Sequence, residues 1–268
     1  MKEAKIGLIA GQGKLPRVLA EAAFNRGIEI IAVALNDRIV EDLRPFSQKV
    51  YSFGIGQTNK IIKTLRNEGV KEVTILGKVD KSVLLKPWKL DWRAIRTLRA
   101  LRHHGDDNLF LAIKGELEKD GLHLVDQTHF LKELLVKKGV FTQRSPTPHE
   151  WQDIEYGFQL AKEIGRLDIG QTVVVKGKTI LAVEAIEGTD ETIRRGCRLG
   201  EAGAIVVKVS RPQQDFRLDV PTVGNQTLEV MREGKAVVLA LEAEKTLVID
   251  LKEMVALADA ASISLVAV

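Results

Sequence analysis

Ile6-Gly7-Leu8-Ile9-Ala10-Gly11-Gln12-Gly13-Lys14-Leu15-Pro16 carries the first sign of a layered α/β chain. Apolar and small residues run continuously from 6 to 10 instead of alternating with polar ones, the mark of a strand covered on both faces. Two glycines, a lysine and a proline then lead into a helical pattern over residues 16–26. Further continuous runs occupy residues 28–35, 50–53 and 73–77, with a second helical pattern over 57–69. Strand-helix-strand repetition at this spacing predicts a parallel sheet with right-handed crossovers, a Rossmann-like layer fold.

The pattern breaks at residues 141–149, a polar stretch with two prolines, Pro146 and Pro148, that is expected to be a linker without helix. A helix over 150–165 should follow, closed by glycine. Lys176-Gly177-Lys178 separates two runs, 172–175 and 179–186, that read as a hairpin. Strands are expected at 204–209, 236–243 and 246–249, and helices at 190–200, 226–232 and 252–261. The chain therefore reads as α/β, with a Rossmann-like parallel-sheet domain over 1–138 and a second α/β domain of separate topology over 139–268.

Composition sets the bounds. Of 268 residues, 45% are hydrophobic and 28% charged, which excludes disorder and low complexity. A net charge of +4 does not by itself imply nucleic acid, and the lone Cys197 has no partner for an internal disulfide. No run of about 18 apolar residues is present, and the start lacks a signal-peptide core, so a cytoplasmic location is the expectation.

Five features could carry chemistry. The Gly11–Lys14 turn could present backbone N–H groups to an anion at a helix N-terminus. It begins like G-x-G-x-x-G but carries Pro16 in place of the third glycine, and a plain tight turn explains it too. His103-His104-Gly105-Asp106-Asp107-Asn108 could cap a helix, hold a divalent cation or orient a phosphate-bound sugar. Over residues 88–104, Trp92, Ile95, Leu98 and Leu101 interleave with Arg93, Arg96, Arg99 and Arg102 at a three-residue spacing that stays on no single helical face. A core-packed helix with solvated arginines is the plain reading, and docking on anionic headgroups the sharper one.

In Glu184-Ala185-Ile186-Glu187-Gly188-Thr189-Asp190, Thr189 could cap the next helix, while Glu184 within an otherwise apolar strand needs a partner or a metal. The segment 208–224, bounded by Pro212 and Pro221, mixes Lys208, Arg211 and Arg217 with Asp215 and Asp219. Such a mixture suits a metal-bridged diphosphate, with aspartate on the cation and Lys and Arg on phosphate oxygens. No zinc-ligand spacing and no G-x-S-x-G elbow occurs.

These stretches together resemble the UDP-2,3-diacylglucosamine pyrophosphatases of lipid A biosynthesis, the type unrelated to calcineurin-like phosphoesterases. The matching residues are 7–16, 105–107, 184–190 and 214–224, spread over nearly the whole chain. Arg211 departs from the pattern, which has lysine before the proline; a planar fork replaces a point charge there.

The resemblance implies Mg²⁺-dependent (or Mn²⁺-dependent) hydrolysis of UDP-2,3-diacylglucosamine to 2,3-diacylglucosamine 1-phosphate (lipid X) and UMP. Asp215 and Asp219 are the expected catalytic and metal-binding residues. Gly11, Gln12, Gly13, Lys14, Asp106, Asp107, Glu187, Thr189, Asp190, Lys208, Arg211, Gln214, Arg217 and Thr222 are the expected substrate ligands. Expected partners are the lipid-linked UDP-sugar and, peripherally, the inner-membrane surface, with no nucleic acid and room left for a homodimer. The rival readings are a nicotinamide- or nucleotide-binding enzyme, with Asp37 at the end of the second strand, and a non-catalytic lipid-nucleotide carrier. Asp37 lies 26 residues after Gly11, beyond the usual spacing of about 20.

Overall fold

The computed structural model describes residues 5–78, 89–99, 106–217 and 219–268, with the backbone alone at 106–110. It divides into two compact units, Met1–Leu131 with Phe216–Asp219, and Lys132–Asp215 with Val220–Val268.

The first unit runs β1 (Lys5–Ala10), α1 (Leu15–Phe24), β2 (Glu29–Ala34), α2 (Val40–Leu43), β3 (Lys49–Ser52), α3 (Thr58–Asn67), β4 (Glu72–Leu76), α4 (Trp92–Arg99), α5 (Asp106–Glu118), β5 (His123–Leu124) and α6 (Thr128–Leu131). Its five strands pair in the order β3-β2-β1-β4-β5, every pair parallel. Ile9, Ile31, Val33, Val73 and Ile75 form one core with Ile61, Ile62 and Leu65 of α3 and Leu117 of α5. The alternate residues Leu8, Ala10, Ile30 and Ala32 are also buried, and α1 packs on β1 and β2. Burial on both faces explains the continuous apolar runs. The order reverses direction between β1 and β4, so their carboxyl ends form the topological switch point of the sheet.

The second unit runs β6 (Gly139–Val140), α7 (Pro148–Arg166), β7 (Thr172–Lys176), β8 (Thr179–Val183), α8 (Thr189–Gly200), β9 (Ile205–Lys208), β10 (Thr222–Val223), α9 (Asn225–Glu233), β11 (Val238–Leu241), β12 (Leu247–Val248), α10 (Leu251–Ala260) and β13 (Ser264–Ala267). The sheet order is β6-β13-β11-β9-β7-β8, with a separate parallel pair of β10 and β12. β13, β11 and β9 are mutually parallel, whereas β7 is antiparallel to both neighbours and β6 to β13. Val174, Val206, Leu239 and Leu265 face a core with Ile193, Met231 and Met254. Val173, Val175, Val207 and Ala240 face Ile154, Ala161 and Ile164 of α7. The sheet is thus sandwiched between α7 and the group α8, α9 and α10.

Three local expectations are corrected. Pro148 does not exclude helix: it takes the first position of α7 behind Thr147, whose side chain and Glu150 form a reciprocal capping box. Proline is suited to that position because its missing N–H has no partner there in any helix. Gly165 lies inside α7, which ends at Arg166, and it abuts the Arg211 backbone at a would-be Cβ distance of 3.3 Å. β8 stops at Val183, so Glu184 follows the strand instead of sitting within it.

Candidate functional site

The turn after β1 is stitched to the chain leaving β4. Gly11 N–H donates to Leu76 O at 2.7 Å, while Gln12 and Lys78 exchange backbone bonds of 2.7 and 2.8 Å. A Cβ on Gly11 would meet Lys78 O at 2.5 Å, so this glycine answers to a backbone neighbour. Gly13 has φ +110° with open space where a Cβ would stand. Lys14 is exposed and occupies the N-cap of α1 without a side-chain capping bond. Pro16, the second helical residue, brings no N–H. The N–H groups of Gly11 and Gln12 are engaged by Leu76 and Lys78, which leaves an anion the turn from Gly13 onward, at the switch point. Asp37, the acid of the rival dinucleotide reading, accepts a hydrogen bond from the Ser52 hydroxyl.

Asp106 and Asp107 open α5 instead of lying in a loop; His103, His104 and Gly105 lie outside the described residues, as do the side chains of both aspartates. In α4, Arg93 corrects the image of solvated arginines. It is 7% exposed and contacts Glu116 at 2.6 Å and Asp120 at 2.5 Å. Burial pushes the Glu116 carboxyl up, but Lys119 and Arg93 outweigh it and hold the group below the usual carboxylate range. Arg96 and Arg99 are exposed, and the Arg96 guanidinium lies 4.9 Å from the centre of the exposed Trp92 ring. Trp88 and Arg102, the ends of the proposed contact segment, are not among the described residues.

In the second unit, the carboxyl ends of β8, β9 and β11 gather charge. Lys208, the last residue of β9, is 6% exposed, and Glu184, just past β8, is 7% exposed. The Lys208 ammonium donates to Thr189 Oγ1 at 2.8 Å, and the Thr189 hydroxyl donates to Glu184 Oε1 at 2.8 Å. Glu184 Oε2 accepts from Gln171 N–H at 3.2 Å. The buried carboxylate therefore finds protein partners, as burial of a charge requires. Thr189 does not cap α8: the N-cap is Gly188, and Thr189 is the first helical residue. Asp190 lies in the same first turn. Glu187 accepts from Arg195 at 2.5 Å and from Thr192 at 3.3 Å. Its own backbone N–H, then the Arg195 guanidinium, keep its carboxyl below the usual range.

Beyond β9 the chain is irregular. Arg211 pairs with Asp168 at 2.5 Å, and its backbone N–H donates to Gln214 Oε1 at 3.2 Å. Asp215 is half-buried and Asp219 exposed; the former groups with the second unit, the latter with the first. The Arg217 carbonyl accepts from Gln127 Nε2 at 3.4 Å. The Thr222 hydroxyl turns to Val220 O at 2.9 Å.

Sequence reading missed Lys162 and Glu242. Lys162 Nζ contacts both Glu242 oxygens at 3.0 Å and Ser210 O at 2.7 Å, while Ser210 N–H donates to Glu242 Oε2 at 2.7 Å. The pair pins the residue at which β9 gives way to the charged segment. An acid directly after the apolar run of β11 was the available signal for Glu242. An open cleft of about 620 Å³ lies elsewhere, lined by Arg194, Arg198, Glu201, Glu233 and Lys235 among others, and includes no expected site residue. Among the described residues no three of His, Cys, Asp and Glu gather as a metal centre.

Fold and donor set together define a two-unit α/β protein with phosphate-compatible groups at strand ends in each unit. Residues 5–134 match the LpxI N-terminal domain and 137–266 the LpxI C-terminal domain. The chain belongs to the LpxI family. It is 35% identical over 270 residues to the UDP-2,3-diacylglucosamine pyrophosphatase LpxI of Caulobacter vibrioides, covering 95% of this chain and 94% of that one. Similar solved structures include the ADP complex of purK, N5-carboxyaminoimidazole ribonucleotide synthetase, at 16% identity, 73% of this chain and a TM-score of 0.29. Another is the Staphylococcus aureus N5-carboxyaminoimidazole synthetase, at 16%, 77% and 0.26. The chain spans about half the length of each, 46% and 47%, and likenesses at these scores carry no argument.

Proposed function

We propose that this chain hydrolyses the diphosphate of UDP-2,3-diacylglucosamine, yielding UMP and 2,3-diacylglucosamine 1-phosphate in lipid A biosynthesis. The observation that carries the reading is the match of both halves to one family, with a pyrophosphatase relative 35% identical across 95% of the chain. Water adds to one phosphorus, the P–O–P bond breaks, and the bridging oxygen leaves on the other phosphate.

The segment 210–224 offers oxygen ligands from Asp215 and Asp219 and contains no His or Cys. That set fits Mg²⁺, which is held by one or two carboxylates, substrate phosphates and waters, better than it fits a resident all-protein cage. When bound, the ion would neutralise diphosphate charge. Lys208 and Arg217 supply fixed positive charge to the phosphates. One of the two aspartates orients the attacking water and takes its proton. Arg211, held by Asp168, adds positive charge, with Gln214, Thr222, Glu187 and Asp190 as further polar groups. Gly13 and Lys14 receive the nucleotide end, while Gly11 and Gln12 hold the turn in place through their bonds to Leu76 and Lys78, and Asp106 and Asp107 remain ligands of second rank.

Two acyl chains keep this substrate in a bilayer or micelle. Among the described residues no helix is long and apolar enough to cross a membrane, so the reading includes peripheral, salt-sensitive association with the inner-membrane surface. The test is incubation of pure protein with UDP-2,3-diacylglucosamine, with and without Mg²⁺. Metal-dependent release of UMP supports the reading; substrate binding without UMP release would make the chain a carrier and overturn it.

A further inference from the structure

We propose that Glu184 is a positioning residue that acts through Thr189 to aim the Lys208 ammonium. The proposal rests on the reading above, in which Lys208 serves the substrate diphosphate. Its warrant is the direction of the hydrogen bonds. A carboxylate can only accept and an ammonium only donate. Between Glu184 Oε1 and Lys208 Nζ, each 2.8 Å away, the Thr189 hydroxyl therefore has one arrangement: it gives its proton to Glu184 and accepts from Lys208.

Two consequences follow. Thr189 has no proton left for a phosphate oxygen, so it serves as a relay and not as a substrate donor. Lys208 gains a buried negative charge two bonds away along the chain Lys208–Thr189–Glu184, which offsets the penalty of holding an ammonium that is 6% exposed. Such networks are worth more than their pairs when every member is satisfied.

The carboxylate is itself held from several sides. Glu184 N–H donates to Thr172 O at 2.9 Å, and Gln171 N–H reaches Glu184 Oε2. A Cβ on Gly170 would stand 2.1 Å from Glu184 O, so the 170–172 backbone lies hard against this residue. The three relay members come from the ends of β8 and β9 and the first turn of α8, rigid elements that suit the orientation of a charged ligand.

Glu184→Gln removes the charge and one acceptor. If the amide oxygen keeps Gln171, its NH₂ faces Thr189 and reverses the relay; if it keeps Thr189, the NH₂ opposes the Gln171 N–H. UMP release from UDP-2,3-diacylglucosamine is to be measured for Glu184→Gln, Lys208→Met and the double variant, with thermal melting of each. Glu184→Gln should lose on the order of 10–100-fold in kcat/KM, the range for residues that orient a ligand group. The double variant should be no worse than Lys208→Met alone, because the two changes break one chain.

Thr189→Val keeps Glu184 on Gln171 and breaks only the relay, so it serves if Glu184→Gln melts early; it should show the same coupling to Lys208→Met. Thr189→Ser should recover most of what Thr189→Val loses. Multiplicative losses in the double variants, with Lys208→Met itself strongly impaired, overturn the relay and leave the proposed function standing. A fully active Lys208→Met overturns both the relay and the phosphate role of Lys208, and absence of UMP release from the wild-type chain overturns the function itself.

Discussion

Gly11 and Gly77 meet backbone to backbone: a Cβ on either would stand 2.8 Å from the carbonyl oxygen of the other. Their contact joins the chain leaving β1 to the chain leaving β4 at the switch point of the parallel sheet. Backbone atoms on both sides leave nothing flexible to move aside. Gly11→Ala should therefore destabilise by about 1–3 kcal/mol, as overpacking does. Gly13→Ala meets no neighbour within 4 Å and should lose about 1–2 kcal/mol through its positive φ alone. Urea unfolding of both variants checks this; a Gly11→Ala variant as stable as the wild type would show that the contact with the 77–78 backbone gives way.

Arg93 is expected to matter for stability and not for lipid contact. Burial opposes ionisation of Glu116 and Asp120, yet both carboxyls lie below their ordinary range because Arg93, with Lys119 on one and Arg66 on the other, outweighs it. A depressed carboxyl stabilises the fold above its unfolded pKa, about 4, and that stability disappears as pH falls through the folded value. Arg93→Met should lower stability at pH 7 by about 3 kcal/mol, the low end for stripping one member from a buried pair, since Lys119 and Arg66 remain. Melting temperatures from pH 7 to 2 should show a shallower acid decline in the variant. An unchanged slope would mean these pairs do not set it.

In the first sheet β1, β2 and β4 were legible because they are covered on both faces and announce themselves as apolar runs, whereas β5, two residues at His123–Leu124, is too short to show a pattern and was not read. In the second sheet β7, β8, β9 and β11 were read, but β13 and β6 were not, nor was the strand order. β7 pairs antiparallel with β8 and β9, and β6 at Gly139–Val140 is too short to show a pattern. Hydrogen-bond direction across distant residues was illegible throughout. Glu184 was marked as a charge in need of a partner, and its partner proved to be Thr189, five residues on and released from capping by Gly188. Arg93 recurs with Arg96 and Arg99 every three residues, and nothing in that spacing says that one of them is buried against Glu116.

The turn after β1 is expected to favour a uridine nucleotide over a dinucleotide. Its anion-facing part begins at Gly13, Pro16 removes a donor from the first turn of α1, and Asp37 is engaged by Ser52. Thermal-shift titrations should show UDP or UMP raising the melting temperature more than NAD or NADP. Stabilisation by NAD alone would sink this assignment.

Membrane contact, if α4 supplies it, should depend on its exposed residues only. Trp92 is 61% exposed and carries the Arg96 guanidinium on its ring, with Arg99 also exposed. Aromatic and basic groups side by side suit an anionic interface. Trp92→Ala with Arg96→Gln and Arg99→Gln should weaken sedimentation with anionic vesicles at low salt while lowering the melting temperature much less than Arg93→Met, because Arg96 touches Glu116 only at 3.3 Å, and Arg93 is left alone because it is structural. Unchanged vesicle binding would place the interfacial surface elsewhere.

Asp215 and Asp219 carry the most exposed prediction. They stand four residues apart in an irregular segment, beyond the residue that Lys162 and Glu242 pin at Ser210. Loss of a general base or of the ligand that places the cation lowers rate by on the order of 10²–10⁴. Replacing the exposed Asp219 by Asn changes stability by no more than about 0.5 kcal/mol, and at the half-buried Asp215 the isosteric amide keeps the volume and one acceptor oxygen. Asp215→Asn and Asp219→Asn should therefore melt close to the wild-type temperature, and at least one should lose nearly all UMP release while still binding the lipid nucleotide. Raising Mg²⁺ separates their roles. A variant that recovers with metal concentration has lost a ligand, whereas one that stays inactive at saturating metal has lost the group that takes the proton from water. If both keep more than about a third of wild-type turnover, far above the range for lost acid–base catalysis, the chemistry lies outside this segment.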